Sequence, residues 1–269
     1  MESNNKYEHL FNYFMICMYW LFPIRFVHLT ISIHYMTQYT FNLLKMRGRP
    51  DKPVRYYLQT GEKEINMNDL IDRKISIHYQ HQINCIACGA KTKKSFHQGY
   101  CYSCFTTLPQ TDRGILHPEK DRSHEGISRD MDWARENALT DHYVYLALTS
   151  NLKVGVTRAK QVPTRWIDQG ASRAIRLAKT PYRKLAGDIE VFFKNHVSDK
   201  TKWQQMLLAP VPDIDLREKK AELTRLLPDE LKQFITIDNR IEHFIYPGSI
   251  SLIKSANLIL KKKMSLREN

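Results

Sequence analysis

"HYVYLALTSNLKVGVTR", residues 142–158, carries the clearest strand signal in the chain. Two runs rich in β-branched, aromatic and aliphatic residues, YVYLAL and LKVGVT, flank the short polar triplet Thr149-Ser150-Asn151. Runs of that length and composition form strands, and so short a gap joins antiparallel neighbours. A β-hairpin is therefore expected. Downstream, "VPTRWIDQGASRAIRLA" opens on Pro163 and Thr164, and helical spacing puts Arg165, Gln169 and Ser172 along one face. "TPYRKLAGDIEVFFKNH" predicts a second helix with Pro181 in its first turn. Its apolar stripe is Leu185, Ile189, Phe192 and Phe193, with Glu190 beside it. "DLREKKAELTRLL" predicts a charged amphipathic helix that ends before Pro228, and "PDELKQFI" a further short one.

Upstream, four of the chain's five cysteines lie in "CIACGAKTKKSFHQGYCYSC", Cys85–Cys104. The spacing is C-x2-C-x12-C-x2-C. Each C-x-x-C turns tightly enough for both sulfurs to reach one ion, and two such knuckles complete the tetrahedron that Zn2+ takes. Cys85, Cys88, Cys101 and Cys104 are thus expected to hold a structural zinc, with no open position for catalysis. Two disulfides are the alternative, but they need an oxidising compartment, and no signal peptide points to one. Between the pairs, "KTKKSFHQGY" carries three lysines with Phe96, His97 and Tyr100. Such a loop either lies on phosphates and bases or is a solvated hairpin tip. "VRYYLQT" and "KISIHYQHQINC" alternate as strands do, so Val54–Ala90 is read as a small antiparallel sheet leading into the cysteines. "LPQTDRGILHPEKDRSHEGISRDMDW" shows no period and reads as a long loop or linker. Its His117, Asp121, His124 and Glu125 lack a metal-ligand spacing and are taken as loop residues.

Lys plus Arg is 41 and Asp plus Glu is 28, a net charge of +13 over 269 residues. That excess suits a polyanion, and nucleic acid is the partner expected. The segment "LFNYFMICMYWLFPI", Leu10–Ile24, is apolar but shorter than the roughly 20 residues of a membrane span. It has neither a basic leader nor a small-residue cleavage site. A start near Met36 or Met46 is expected instead, where the patterned sequence begins. The expected location is the cytoplasm, with a membrane-associated regulatory protein tethered by that segment as the outlying alternative. Nothing in the sequence sets an oligomeric state.

The motifs "CIACGAKTKKSFHQGYCYSCF", "VYLALTSNLKVGVTR", "PTRWIDQGA" and "HVSDKTKWQQML" together resemble the bacterial domain of unknown function 2797 family, from about Lys45 to Tyr246. The second half is in turn similar to the GIY-YIG nuclease superfamily. That resemblance implies a three-stranded antiparallel sheet flanked by helices, and a metal-dependent endonuclease activity. Val144-Tyr145 matches the first motif, with Tyr145 as its tyrosine, and Lys153-Val154-Gly155 matches the second, with lysine in place of tyrosine. Arg165 matches the helix arginine, and Glu190 the glutamate that holds Mg2+ or Mn2+. Phosphodiester hydrolysis needs an activated water, a cation on the non-bridging oxygens and help for the leaving oxygen. Tyr145 would orient or deprotonate the water, Arg165 would clamp the phosphate and Lys153 would touch it. The plain structural readings stand beside these: a strand tyrosine with a satisfied hydroxyl, and an Arg165–Glu190 ion pair between packed helices. A non-catalytic module that binds nucleic acid or a protein is the second functional reading. Relative to the family, the tail "SISLIKSANLILKKKMSLREN" reads as altered or truncated.

The expected class is α+β. Residues 1–42 form an apolar extension, 43–110 a small β module with the zinc site and 111–140 a linker. Residues 141–212 form the GIY-YIG-like domain and 213–269 the C-terminal helices and tail.

Overall fold

The computed structural model describes residues 27–33, 37–60, 63–71, 73, 75–97, 99–198 and 211–247. Leu10–Ile24 and the tail after residue 247 lie outside these. The N-terminal half contains β1 (Val27–Ile33), β2 (Thr37–Asn42), β3 (Arg47–Arg49), β4 (Arg55–Gln59), β5 (Glu64–Asn66), β6 (Ile75–Asn84) and β7 (Lys91–Thr92). These make two antiparallel sheets, ordered β2-β1-β6-β7 and β3-β4-β5. The single sheet expected over Val54–Ala90 is thus divided, and residues 27–42 supply two strands rather than an unpatterned extension. The reason is edge length. β6 runs for ten residues and β7 for only two, so β6 needs another partner, and β1 pairs with it from Ile75 to Ile83.

The cysteine module ends in α1 (Tyr102–Thr107), and the segment expected as a linker is folded into short helical pieces: α2 (Arg113–Leu116), a 3-10 turn at Pro118–Lys120 and α3 (Met131–Asn137). Asp112 and Asp130 cap α2 and α3 by accepting from Gly114 N–H and Trp133 N–H.

The second half runs β8 (His142–Leu148), β9 (Leu152–Arg158), α4 (Thr164–Ile167), β10 (Arg173–Thr180), α5 (Arg183–Lys194), α6 (Leu216–Leu226), α7 (Asp229–Lys232) and β11 (Ile241–His243). The hairpin forms as expected, closed by Thr149–Asn151. The helix expected from Thr164 stops after one turn. Gly170 takes a left-handed φ of 66°, and "RAIRLAKT" becomes β10. Arg and Lys in that run mimic helical spacing, but the run pairs with β8 and its apolar residues, Ala174, Ile175, Leu177 and Ala178, are all buried. The sheet is β11-β10-β8-β9, all antiparallel. Three strands were expected; the fourth, β11, comes from the C-terminal segment.

β8 is central and buried on both sides, which explains its nearly continuous apolar sequence. Val144, Leu146 and Leu148 meet Ala186, Ile189 and Phe193 of α5, together with Leu216 and Leu223 of α6. Tyr145 and Ala147 point the other way, onto Trp166, Ala171 and Ala174. The C-terminal helix α6 therefore shares the core of the sheet instead of following it as a separate tail.

The short pieces after α1 wrap the outer face of α5. A side chain at Gly187 would place its Cβ 2.3 Å from the Glu119 nitrogen and 2.5 Å from the Pro118 carbonyl carbon. Arg183 donates to the carbonyls of Gly114 and Ile115 at 2.8 and 2.7 Å, and its own N–H donates to Ala138. Gly187→Ala therefore costs stability. The helix-propensity gain of up to about 1 kcal/mol is outweighed by backbone atoms that cannot move aside, at about 1–3 kcal/mol. Chemical denaturation reads the difference.

His142 is fully buried, and its Nδ1 lies 2.6 Å from the Thr140 carbonyl. A carbonyl only accepts, so Nδ1 carries the proton, and Nε2 is buried without a partner. Burial, with help from Arg183 and Arg158, pushes its pKa down from 6.5 to about 4. The unfolded chain takes up a proton below 6.5 that the folded chain refuses until about 4. Stability therefore falls as pH drops through that window, by on the order of 3 kcal/mol from this group. His142→Gln flattens the acid limb of a stability–pH curve over the same range.

Candidate functional site

Two separate centres emerge. The first is the cysteine cluster. β6 leads into Cys85, and the turn to Cys88 closes with Gly89 N–H donating to the Cys85 carbonyl at 2.8 Å. Gly89 itself has a φ of 73°, which suits glycine there. The second pair differs from the expected second knuckle: Cys101 caps the N-terminus of α1 and Cys104 lies in its first turn. The four sulfurs lie within 4.8 Å of one another, and the Cys88 and Cys101 sulfurs are 3.9 Å apart. Zn–S bonds of about 2.3 Å in a tetrahedron need sulfurs about 3.8 Å apart. The set can hold a metal such as zinc.

The charges also suit a cation. Burial pushes the Cys85 thiol up, but N–H groups of Cys101, Cys88 and Ala87 together outweigh it and bring the thiol down to about 6. Contact with the neighbouring thiols, Cys101 first, holds Cys104 up at about 12. The backbone thus stabilises one thiolate. The Cys104 thiol stays protonated unless a cation shares the site.

The second centre lies on the sheet face opposite α5. Tyr145 is directly opposite Gly155, and a Cβ there would sit 2.6 Å from the tyrosine oxygen. The missing side chain lets the ring lie across β9. Gln169, also buried, links the ring to α4. With its amide oriented to satisfy both polar atoms, its nitrogen donates to the Tyr145 hydroxyl at 2.8 Å. Its oxygen accepts from Arg165 Nε and Nη2 at 3.2 and 3.1 Å. Arg165 also reaches the tyrosine hydroxyl itself, and Glu190 lies within electrostatic reach of it. Arg165 is exposed, whereas Tyr145, Lys153 and Glu190 are buried. Lys153 pairs with Ala147 across the hairpin and so shares the Tyr145 face. Glu190 on α5 pairs with Lys194 at 3.5 Å rather than with Arg165.

Burial pushes the Tyr145 phenol above its usual range, against the pull of Arg165. At neutral pH it is a neutral hydroxyl. Arg183 connects this centre to the wrap, since Asp121, Arg158, Glu190 and Arg165 all lie within its electrostatic reach. His117, Asp121, His124 and Glu125 do not join a metal-ligand group; among the described residues only the four cysteines do.

The family described as "Protein of unknown function (DUF2797)" matches residues 72–268. The chain belongs to that family. The DUF2797 match takes in the four cysteines, the Tyr145 centre and the tail through residue 268, while β1 to β5 precede it. It begins later than the resemblance read from the motifs and ends later as well. No curated protein and no solved structure matches the chain. Among the described residues, no helix is long and apolar enough to cross a membrane.

Gln169 is the residue that the motif reading undervalued. Its signal was its place four residues after Arg165, and the turn after α4 still delivers it beside Arg165.

The chain purified from zinc-containing medium is expected to carry one zinc per molecule by atomic absorption. Cys85→Ser and Cys104→Ser lose that metal, and chelation lowers the thermal midpoint of the wild type but not of the variants.

Proposed function

We propose that this protein binds nucleic acid and hydrolyses phosphodiester bonds at the Tyr145 centre, with zinc as a structural ion in the cysteine cluster. The observation that carries the reading is the shared bonding of Tyr145, Gln169 and Arg165, with Glu190 in reach. Support also comes from the strand order β9-β8-β10, with α4 in the β9–β10 connection and α5 after β10. An antiparallel sheet flanked by helices is what the resemblance to the GIY-YIG superfamily implies. The charge of +13 favours the polyanionic substrate.

In this reading the exposed Arg165 guanidinium uses two donors on Gln169 and turns the rest to the non-bridging oxygens. Gln169 donates to the phenolic oxygen, and a water or a phosphate oxygen would compete with the Gln169 oxygen, 3.1 Å away, for the phenolic proton. A phenol pushed upward by burial orients that water better than it deprotonates it. Lys153, on the same face, adds a phosphate contact. Glu190 is the ligand for Mg2+ or Mn2+, whose charge would stabilise the leaving oxygen. The burial of Tyr145 favours a second reading, in which the same residues hold nucleic acid without cutting it.

A nuclease assay with Mg2+ or Mn2+ on branched, single-stranded and duplex DNA and on RNA separates the two. Hydrolysis is expected to fall by about 100-fold or more in Arg165→Ala and to vanish in Glu190→Ala, with binding retained in the latter. Binding without cleavage selects the second reading. No salt-dependent binding to any of these substrates removes both.

A further inference from the structure

Between Asp72 and Asp112 the chain has no acidic residue. That interval holds β6, the cysteine turns, β7 and α1, and it includes Lys91, Lys93 and Lys94, all exposed. Some exposed cations elsewhere stand beside carboxylates, as Arg47 and Arg49 do on Glu64. The cysteine module is thus a one-signed surface.

An aromatic group stands within it. Tyr102 is 64 % exposed, although it follows Cys101 at the start of α1. It is braced edge-on by Phe96, with centroids 5.4 Å apart, and Phe96 in turn stacks on Phe105 at 5.6 Å. The Lys94 ammonium lies 5.2 Å from the Phe96 centroid. Phe96 and Phe105 are half-buried and form the small apolar centre of the module; Tyr102 meets it through Phe96 and stays exposed. The helix residues exposed near it, Ser103, Thr106 and Thr107, are short and polar. They make a poor wedge for acyl chains.

We propose that this face takes single-stranded nucleic acid, with a base stacked on Tyr102 and the flanking phosphates on Lys91, Lys93 and Lys94. The inference rests on the nucleic-acid reading given above and adds which form of nucleic acid the cysteine module selects. The preference for single strands follows from stacking. A base in a duplex is already stacked on both faces and gains little from the ring, whereas a free base gains a face.

The test uses the full chain, zinc-replete, with fluorescently labelled oligonucleotides of one sequence in single-stranded and duplex form. Phosphatidylcholine vesicles with and without phosphatidylserine form a parallel arm. Single strands are expected to bind more tightly than duplexes. Tyr102→Ala weakens single-strand binding about tenfold, Tyr102→Phe restores it, and duplex affinity stays as in the wild type. Lys93→Gln combined with Lys94→Gln lowers the slope of log K against log salt by about 1.4. Zinc content checks that each variant keeps its fold. Equal single-strand affinity for Tyr102→Ala and wild type, with salt-dependent binding intact, overturns this inference and leaves the nucleic-acid reading standing. Wild-type protein that binds no oligonucleotide overturns both. Binding only to the phosphatidylserine vesicles overturns both as well and makes the surface a membrane contact.

Discussion

Tyr145 can lie across β9 only because residue 155 has no side chain. Any Cβ at that position would sit 2.6 Å from the tyrosine oxygen and 2.8 Å from the ring carbon that bears it. Moving the ring would break its bond with Gln169, and through Gln169 its link with Arg165. The glycine of the hairpin therefore does its work in the middle of a strand and not at the turn. It sets how close a fully buried ring approaches its neighbouring strand, and so where a hydroxyl and a guanidinium meet.

The helix that presents Arg165 is only four residues long, too short to be stable alone. It is held by the N-terminal half of the chain. Ile167 enters the core of the β3-β4-β5 sheet, and a side chain at Gly48 would sit 2.7 Å from its Cγ2. Lys45 pairs with Asp168, Tyr246 donates to the Ala171 carbonyl at 2.8 Å and Tyr56 stacks on Tyr246. On the opposite face of the domain sheet, the wrap from residue 111 to 140 fits against Gly187 and is pinned by Arg183. The segments that look peripheral in sequence thus brace both helices that carry the candidate site.

The cysteine cluster obeys a different constraint. A module of this size buries few large side chains: Phe96 and Phe105 are its main apolar contact, and both remain half-buried. Four sulfurs gathered within 4.8 Å supply what the core lacks, provided a cation joins them: the backbone favours the Cys85 thiolate, whereas the Cys104 thiol is held up. The two centres therefore depend on opposite resources, one on close packing around a glycine and the other on ligand chemistry.

Local pattern was enough for the β8–β9 hairpin, the helices α5 and α6 and the cysteine cluster, while the pairing of Tyr145 with Arg165 was suggested only by the family resemblance. Each rests on period, spacing or composition within a few residues, or on motifs that resemble a family. It misjudged β10, because Arg and Lys in "RAIRLAKT" imitate helical spacing while the pairing with β8 lies about 30 residues away along the chain. Only the tertiary structure decided that 27–42 and β11 complete two sheets, since an edge recruits a partner by hydrogen bonding that leaves no mark in either sequence. It alone decided that Glu190 pairs with Lys194 rather than Arg165, and that Gln169 joins Tyr145 to Arg165. Those outcomes depend on where side chains from separate elements point once both faces of β8 are buried, a quantity that no single segment encodes.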